Sequence, residues 1–122
     1  MANEITLNLK MQVSKGFIES LQNPGALSVT MSGTTASGGS QTIASSAGGT
    51  ALNMGSVSSA GYAYFRNIDS AIAIEIGTNT GTFAAFAKLK AGEAAIIRLG
   101  TNAPYAKAAS SSANLQYFIV AD

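Results

Sequence analysis

Apolar and polar residues alternate strictly along the first part of the chain. Between Glu4 and Val13, every odd-numbered residue is apolar and every even-numbered residue is polar. Successive side chains of a β-strand point to opposite faces, so this period of two predicts a strand with one apolar face. Because a one-residue slip would expose the whole set, we expect its apolar members to face one core. The apolar members are Ile5, Leu7, Leu9, Met11 and Val13.

The same type of pattern recurs along the rest of the chain. Asn23-Pro24-Gly25 predicts a turn between a second strand at Phe17–Leu21 and a third at Leu27–Met31. The closing strand, Leu115–Val120, is apolar on both faces and is therefore expected to be central or to lie at an interface. The remaining predicted strands are Gly61–Ile68, Ala71–Ile76, Thr82–Leu89 and Glu93–Leu99. Eight or nine short strands without a convincing helix predict an all-β protein, an antiparallel β-sandwich or jelly roll.

One segment departs from this pattern. Residues 32–50, SGTTASGGSQTIASSAGGT, are almost entirely Gly, Ser, Thr and Ala, and Ile43 is their only large apolar residue. One interpretation is a flexible surface loop with a short strand at Gln41–Ala44. The other is an extended arm that becomes ordered only against a neighbouring subunit. We therefore expect a single domain over residues 1–122 that carries a loop or arm at 32–50.

Composition removes most catalytic chemistries. The 122 residues include no His and no Cys, which are the usual sources of imidazole bases, thiolate nucleophiles and structural zinc ligands. No spacing of carboxylates or glycines matches a calcium loop or a phosphate loop. We therefore expect no enzymatic activity, no catalytic or metal-binding residues and no cofactor.

Charge and hydropathy narrow the range of partners. Charged residues make up only 11% of the chain and the formal net charge is +1, which argues against a nucleic-acid partner. The longest apolar stretch, residues 84–99, is interrupted by Lys88, Lys90, Glu93 and Arg98, so no membrane association is expected. The absence of a signal-peptide pattern predicts synthesis in a cytoplasm.

The candidate contact residues, apart from Ile43, are aromatic or lie where a strand meets a turn. Arg66, Asn67 and Asp69 could contact a partner, or Asn67 and Asp69 could bond the local backbone while Arg66 pairs with a carboxylate. The aromatic residues could belong to the core or could anchor an interface. The full set of interface candidates is Ile43, Tyr62, Tyr64, Arg66, Asn67, Asp69, Tyr105, Tyr117 and Phe118.

The second half of the chain resembles a known class of proteins. GYAYFRNIDSAIAIEIG, then TFAAFAKLKAGEAAIIRLGTNAPYAKA and the closing NLQYFIVAD, are similar to small virion structural proteins of tailed bacteriophages, over Gly61–Asp122. The resemblance implies a β-sandwich particle component without catalytic residues. Head decoration (cement) proteins and tail or fibre-base components are the members of this class that it suggests.

The resemblance and the composition together predict a structural role. We expect a capsid decoration protein in the virion, made in the host bacterial cytoplasm and bound to the major capsid protein or other virion proteins. A homo-oligomer is expected, with a trimer favoured. A tail, collar or fibre protein is the alternative within the class, and a carbohydrate-binding or adhesive β-sandwich module is the alternative outside it.

Overall fold

A computed structural model describes residues 4–100 and 103–122, which form ten β-strands and no helix. The strands are β1 (Ile5–Lys15), β2 (Ile18–Val29), β3 (Ala36–Ile43), β4 (Thr50–Ala51), β5 (Ala60–Asn67), β6 (Ile74–Asn79), β7 (Phe83–Leu89), β8 (Ala94–Arg98), β9 (Tyr105–Ala108) and β10 (Ala113–Ala121). Every strand pair is antiparallel. The all-β prediction is confirmed, with ten strands instead of eight or nine. None of the described residues lies in a helix long and apolar enough to cross a membrane.

The chain divides into two compact units, and the first ends at Ser32. This unit is a long hairpin in which β1 pairs with β2 from Ile5 opposite Val29 to Lys15 opposite Ile18. Gly16, with a φ of 57°, and Phe17 form the two-residue turn between the strands. A positive φ at this position suits the turns that match the twist of a β-hairpin.

The predicted turn at Asn23-Pro24-Gly25 is wrong, because the chain continues through it as a single strand. Leu9 pairs with Gly25 and Met11 with Gln22, so Asn23 and Pro24 bulge opposite a single residue of β1. The Gly25 N–H donates to Asn23 Oδ1 at 3.0 Å, which holds the bulge locally. Proline has no N–H to donate to a neighbouring strand, and it is tolerated here because it sits at a bulge, where no ladder hydrogen bond is lost. The second and third predicted strands are consequently one strand.

The prediction that the apolar residues of β1 all face a core is also wrong. Only Leu7 is buried, with 7% of its surface exposed, whereas Met11 is 60% exposed, and Leu9 and Val13 are 36% and 37% exposed. The strand register does place these residues on one face, as the alternation predicts. Among residues 4–32, the described part of its own unit, the hairpin has no second sheet that could cover this face.

The second unit, Gly33–Asp122, contains two four-stranded sheets. The strand order is β3-β10-β5-β8 in one sheet and β4-β9-β6-β7 in the other. Strands pair from the outside of this unit inwards: β3 with β10, β4 with β9, β5 with β8 and β6 with β7. This nested pairing in two sheets is the jelly-roll topology. The sandwich prediction is confirmed, and β10 is central, as its two apolar faces predict.

The core of this unit lies between the two sheets. Inward residues alternate with outward ones along each strand, as in β10, where every odd-numbered residue from Ala113 to Ala121 is buried. Phe65 and Leu115 from one sheet and Ile74 and Ile76 from the other are at most 1% exposed. Alternation and burial therefore agree in the sandwich, although they do not agree in the hairpin.

Residues 32–50 contain a strand of the sandwich, and this differs from both interpretations of the sequence. β3 pairs with β10 along its whole length, from Ala36 opposite Val120 to Ile43 opposite Ala113. Ladder hydrogen bonds supply the stabilisation that the small side chains of this segment cannot. Gly38 leaves room for the Phe118 ring, since a Cβ at Gly38 would lie 2.6 Å from Phe118 Cδ1.

Candidate functional site

Four of the nine candidate residues lie together on the outer face of the first sheet. Tyr62, Tyr64 and Arg66 alternate along β5 with buried residues, so their side chains point away from the core. Phe118 lies directly opposite Tyr64 on the neighbouring strand. The sequence identified these residues separately, and the antiparallel register of β5 and β10 brings them to one surface.

The centre of this surface is apolar. Phe118, Tyr64 and Ile96 form a row across β10, β5 and β8, and Gly38 of β3 extends the row to the sheet edge. Phe118 is 51% exposed and Ile96 38% exposed. We call the surface formed by Tyr62, Tyr64, Arg66, Ile96 and Phe118 the aromatic face. Aromatic and arginine side chains of this kind are enriched at the centres of protein interfaces.

Two arginines lie at opposite ends of the aromatic face. Arg98, paired with Tyr62 in the ladder, holds its guanidinium carbon 5.4 Å from the centre of the Tyr62 ring and forms an ion pair with Asp122. Arg66, at the other end, is exposed and has no ion pair within residues 4–100 and 103–122. Its predicted carboxylate partner is therefore not found there. A partner with an acidic group could pair with Arg66 without breaking an ion pair of these residues.

Asn67 and Asp69 have structural roles, as the second interpretation of the sequence proposes. Asn67 is fully buried, and its Nδ2 donates to Leu89 O at 3.0 Å and to Ile72 O at 2.8 Å. Its Oδ1 accepts the Asp69 N–H at 2.9 Å. Asp69 Oδ2 accepts the N–H groups of Ile72 and Ala71 at 2.8 and 3.0 Å. These backbone hydrogen bonds stabilise the charged carboxylate and lower the pKa of Asp69.

Burial removes three residues from the set of surface candidates. Ile43 has no exposed surface, and Asn67 is equally buried. Tyr117 is 5% exposed, and its hydroxyl donates to Asn53 O at 2.9 Å, so it belongs to the core with its polar end satisfied. Tyr105 is half-buried on β9 of the other sheet, opposite Gly77 and Ala51, and so is not part of the aromatic face.

The described part of the chain shows no assembled chemical centre. No group of three or more metal-ligating side chains is found within it. Each buried side-chain nitrogen or oxygen of residues 4–100 and 103–122 has a hydrogen-bond partner. On the outside of the second sheet, Glu75 is flanked in the ladder by Lys107 and Lys88.

Sequence reasoning missed one surface, the apolar side of the hairpin. Its signal is the alternation of β1, which predicts an apolar face but not what covers that face. Phe17, at the tip of the hairpin, is fully exposed. An exposed phenylalanine at the turn and exposed apolar residues along β1 and β2 make the hairpin a second candidate surface.

Comparisons with protein-family models, with curated proteins and with solved structures find no match for this chain.

Proposed function

We propose that this protein is a non-enzymatic structural component of a bacteriophage virion, and that it acts as a capsid decoration protein. The observation that carries the proposal is the amount of large apolar surface that the chain leaves exposed. Twelve large hydrophobic residues of the described ranges are at least 36% exposed, in a chain with only 11% charged residues. Extended apolar surface of this kind is typical of a subunit that other subunits cover.

The fold supports the proposal by analogy. Jelly rolls with two four-stranded sheets recur in viral capsid proteins, and also in lectins and cupins. Because one fold hosts many functions, the topology alone does not choose among these classes. The resemblance of Gly61–Asp122 to small virion proteins of tailed phages favours the particle component.

The aromatic face is the surface that we assign to the contact with another virion protein. It combines an exposed phenylalanine, a tyrosine and an isoleucine in one row with an arginine beside them that forms no ion pair among the described residues. A protein partner such as the major capsid protein would bury the row and could offer a carboxylate to Arg66. In this proposal the protein is found in the virion, and the homo-oligomer on the particle is favoured to be a trimer.

The exposed rings also suit the alternative of a carbohydrate-binding or adhesive module. Tyr64 and Phe118 lie side by side on the outer surface, where a sugar ring could stack on them. The two functions differ in the ligand: a particle component binds a protein lattice, and the module binds a glycan without it.

The test is to purify the intact particle that contains this chain and to locate the chain in a density map. We expect it on the head, with the aromatic face against the capsid protein. Absence of the chain from purified particles, as measured by mass spectrometry, would refute the proposal. A position on the tail, collar or fibres would support the alternative within the same class.

A binding experiment tests the role of the aromatic face. Phe118→Ser should weaken binding to heads that lack the protein by about tenfold or more, as expected for an anchor residue. Phe86→Ser is the matched control, because Phe86 is 48% exposed on the other sheet. Equal binding by both variants would show that the aromatic face does not make the contact. Binding to a glycan array that Phe118→Ser abolishes would favour the module.

A further inference from the structure

The β1–β2 hairpin carries a face that is apolar along β1 and at both ends of β2, with Gly25, Gln22 and Ser20 between those ends. The register places the odd-numbered residues of β1 on the same side as Leu27, Val29 and Ile18 of β2. We call this side the apolar hairpin face. Its members are Ile5, Leu7, Leu9, Met11, Val13, Ile18, Leu27 and Val29.

The part of the apolar hairpin face nearer the turn is exposed and free of charge up to Lys15, whereas Leu7 is buried and Ile5 and Val29 are half-buried at the other end. Met11 and Ile18 are 60% and 62% exposed, and Leu9, Val13 and Leu27 are each 36–37% exposed. The charged residues Lys10 and Glu19 belong to the opposite side of the hairpin, and Lys15 enters the apolar side only at the turn. A two-stranded hairpin is marginally stable at best in water unless something packs on its apolar side.

We propose that the apolar hairpin face packs against the same face of a second copy of this chain. Two hairpins stacked face to face form a small two-layer sandwich with the usual separation of about 10 Å between the layers. The contact is isologous, because each copy contributes the same residues. This inference deepens the proposed function by naming the partner of the hairpin, and it can fail independently of that function.

Charge does not oppose a copy of the same chain as the partner. A face that carried a net charge would repel its own copy, whereas the stretch from Ile5 to Val13 contributes only neutral side chains to this side.

The area is appropriate for such a contact. The five most exposed side chains of the face present on the order of 400 Å² of apolar surface, and interfaces are about 56–65% apolar. The corresponding patch is about 650 Å² on each copy, or about 1,300 Å² in total, which lies within the range of about 1,200–2,000 Å² for stable interfaces.

Pairing through the strand edges fits the hairpin less well than stacking through the faces. Pro24 lacks an N–H, and its bulge interrupts the free edge of β2. Lys10, in the middle of β1, is a type of residue that natural edge strands use against such pairing.

The experiment measures the mass of the full chain in solution by sedimentation and light scattering. Met11→Glu places a charge on the apolar hairpin face, and Gln12→Glu, one residue further on the opposite side, is its matched control. We expect the wild-type protein and Gln12→Glu to self-associate, and Met11→Glu to require about 100-fold higher concentration for association. Met11→Thr, which keeps a high strand propensity, should give a smaller loss in the same direction. A mass of three copies would contradict the inference, because an isologous contact joins copies in pairs.

A cross-linking experiment locates the contact. The natural chain contains no cysteine, so Met11→Cys and Gln12→Cys each introduce a single thiol. A short bis-maleimide that spans the about 10 Å between stacked sheets should link copies of Met11→Cys and not of Gln12→Cys. Tyrosine fluorescence verifies that the second unit is intact in each variant, because all four tyrosines lie in it.

Three further results would overturn the inference. The first is a wild-type monomer at about 100 μM, a concentration far above the dissociation constant of a stable interface. The second is an equal effect of Met11→Glu and Gln12→Glu on self-association, and the third is equal cross-linking of the two thiols. A monomeric chain that still occupies the head would overturn this inference alone. A self-associating chain that is absent from particles would overturn the proposed function alone.

Discussion

Asn67 is the residue whose removal we expect to damage the jelly roll most selectively. It is fully buried at the end of β5, and its amide donates across to Leu89 O of the other sheet. The same side chain bonds Ile72 O and the Asp69 N–H, so it ties one turn and both sheets together. We predict that Asn67→Ala destabilises the second unit strongly although it removes little apolar contact.

The magnitude follows from the groups that the substitution leaves unpaired. Two carbonyl oxygens and one N–H lose their partner, and each buried unsatisfied group costs about 1–3 kcal/mol. Because two of the three bonds are only partly buried, water replaces part of the loss, and we expect about 3 kcal/mol in total. This is a large part of the about 5–15 kcal/mol that stabilises a typical domain.

Asn67→Asp separates hydrogen bonding from packing. The aspartate has nearly the same shape but, when charged, has no proton to donate to the two carbonyl oxygens. Burial raises the pKa of such a carboxyl group above its value in the unfolded chain. The loss of stability is therefore smallest at low pH, where the group is protonated in both states, and grows as the pH rises above about 4. At neutral pH, Asn67→Asp should therefore be less stable than Asn67→Ala.

Urea unfolding followed by tyrosine fluorescence measures these effects. The four tyrosines all belong to the second unit and the chain has no tryptophan, so the signal does not report on the hairpin. With a slope of about 2 kcal/mol/M, a 3 kcal/mol loss lowers the midpoint by about 1.5 M. Asn114→Ala, which removes one exposed bond to Thr42, is the control and should cost less than 1 kcal/mol, about one hydrogen bond. A midpoint for Asn67→Ala within about 0.3 M of the wild type would refute the reasoning.

Three further predictions concern individual contacts of the second unit. Gly77→Ala should destabilise the second unit by about 2–4 kcal/mol, because its Cβ would collide with the backbone at Ala84. Gly100→Ala adds a Cβ in open space and should change the stability by less than about 0.5 kcal/mol in the same urea experiment. Tyr117→Phe should cost about 1 kcal/mol of stability, because it removes the hydrogen bond to Asn53 O. Tyr64→Phe is the control, since the Tyr64 hydroxyl has no hydrogen bond within the described residues, and an equal cost for both variants would contradict this. Carboxyl NMR should give Asp69 a pKa below 3.8. The charged carboxylate therefore stabilises the fold fully above pH 3.8, and this stabilisation disappears as the pH falls through the pKa of the folded protein. A pKa at or above 3.8 would show that the turn hydrogen bonds are absent in solution.

The sequence predicted the sandwich because periodicity reports local geometry reliably. Ile74 and Ile76 alternate with polar or small neighbours, and both are buried between the sheets. The same reasoning placed β10 in the centre of its sheet. The segment at 36–43 was harder to predict, because its stabilisation comes from ladder bonds to β10, and side-chain patterns contain no information about such bonds.

The candidate site was predicted in part for a similar reason. Tyr62, Tyr64 and Arg66 share a face because they are spaced two apart on one strand, which the sequence shows directly. The position of Phe118 beside Tyr64 depends on the pairing of distant strands, which no local pattern specifies. Tyr117 differs from Phe118 by one position, and this alone makes one residue part of the core and the other part of the surface.

The hairpin shows what an alternating pattern leaves open: it predicts an apolar face but not what will cover that face. Leu9 and Met11 have the same pattern as Ile74 and Ile76, and yet only the latter pair is buried. At about 25 cal/mol per Å², covering about 400 Å² yields on the order of 10 kcal/mol, which lies within the about 4–15 kcal/mol that association costs. One apolar face against a polar partner would therefore gain little net affinity. Two apolar faces double the gain for a single association cost, and a second copy of this chain supplies an apolar face of the same length and composition.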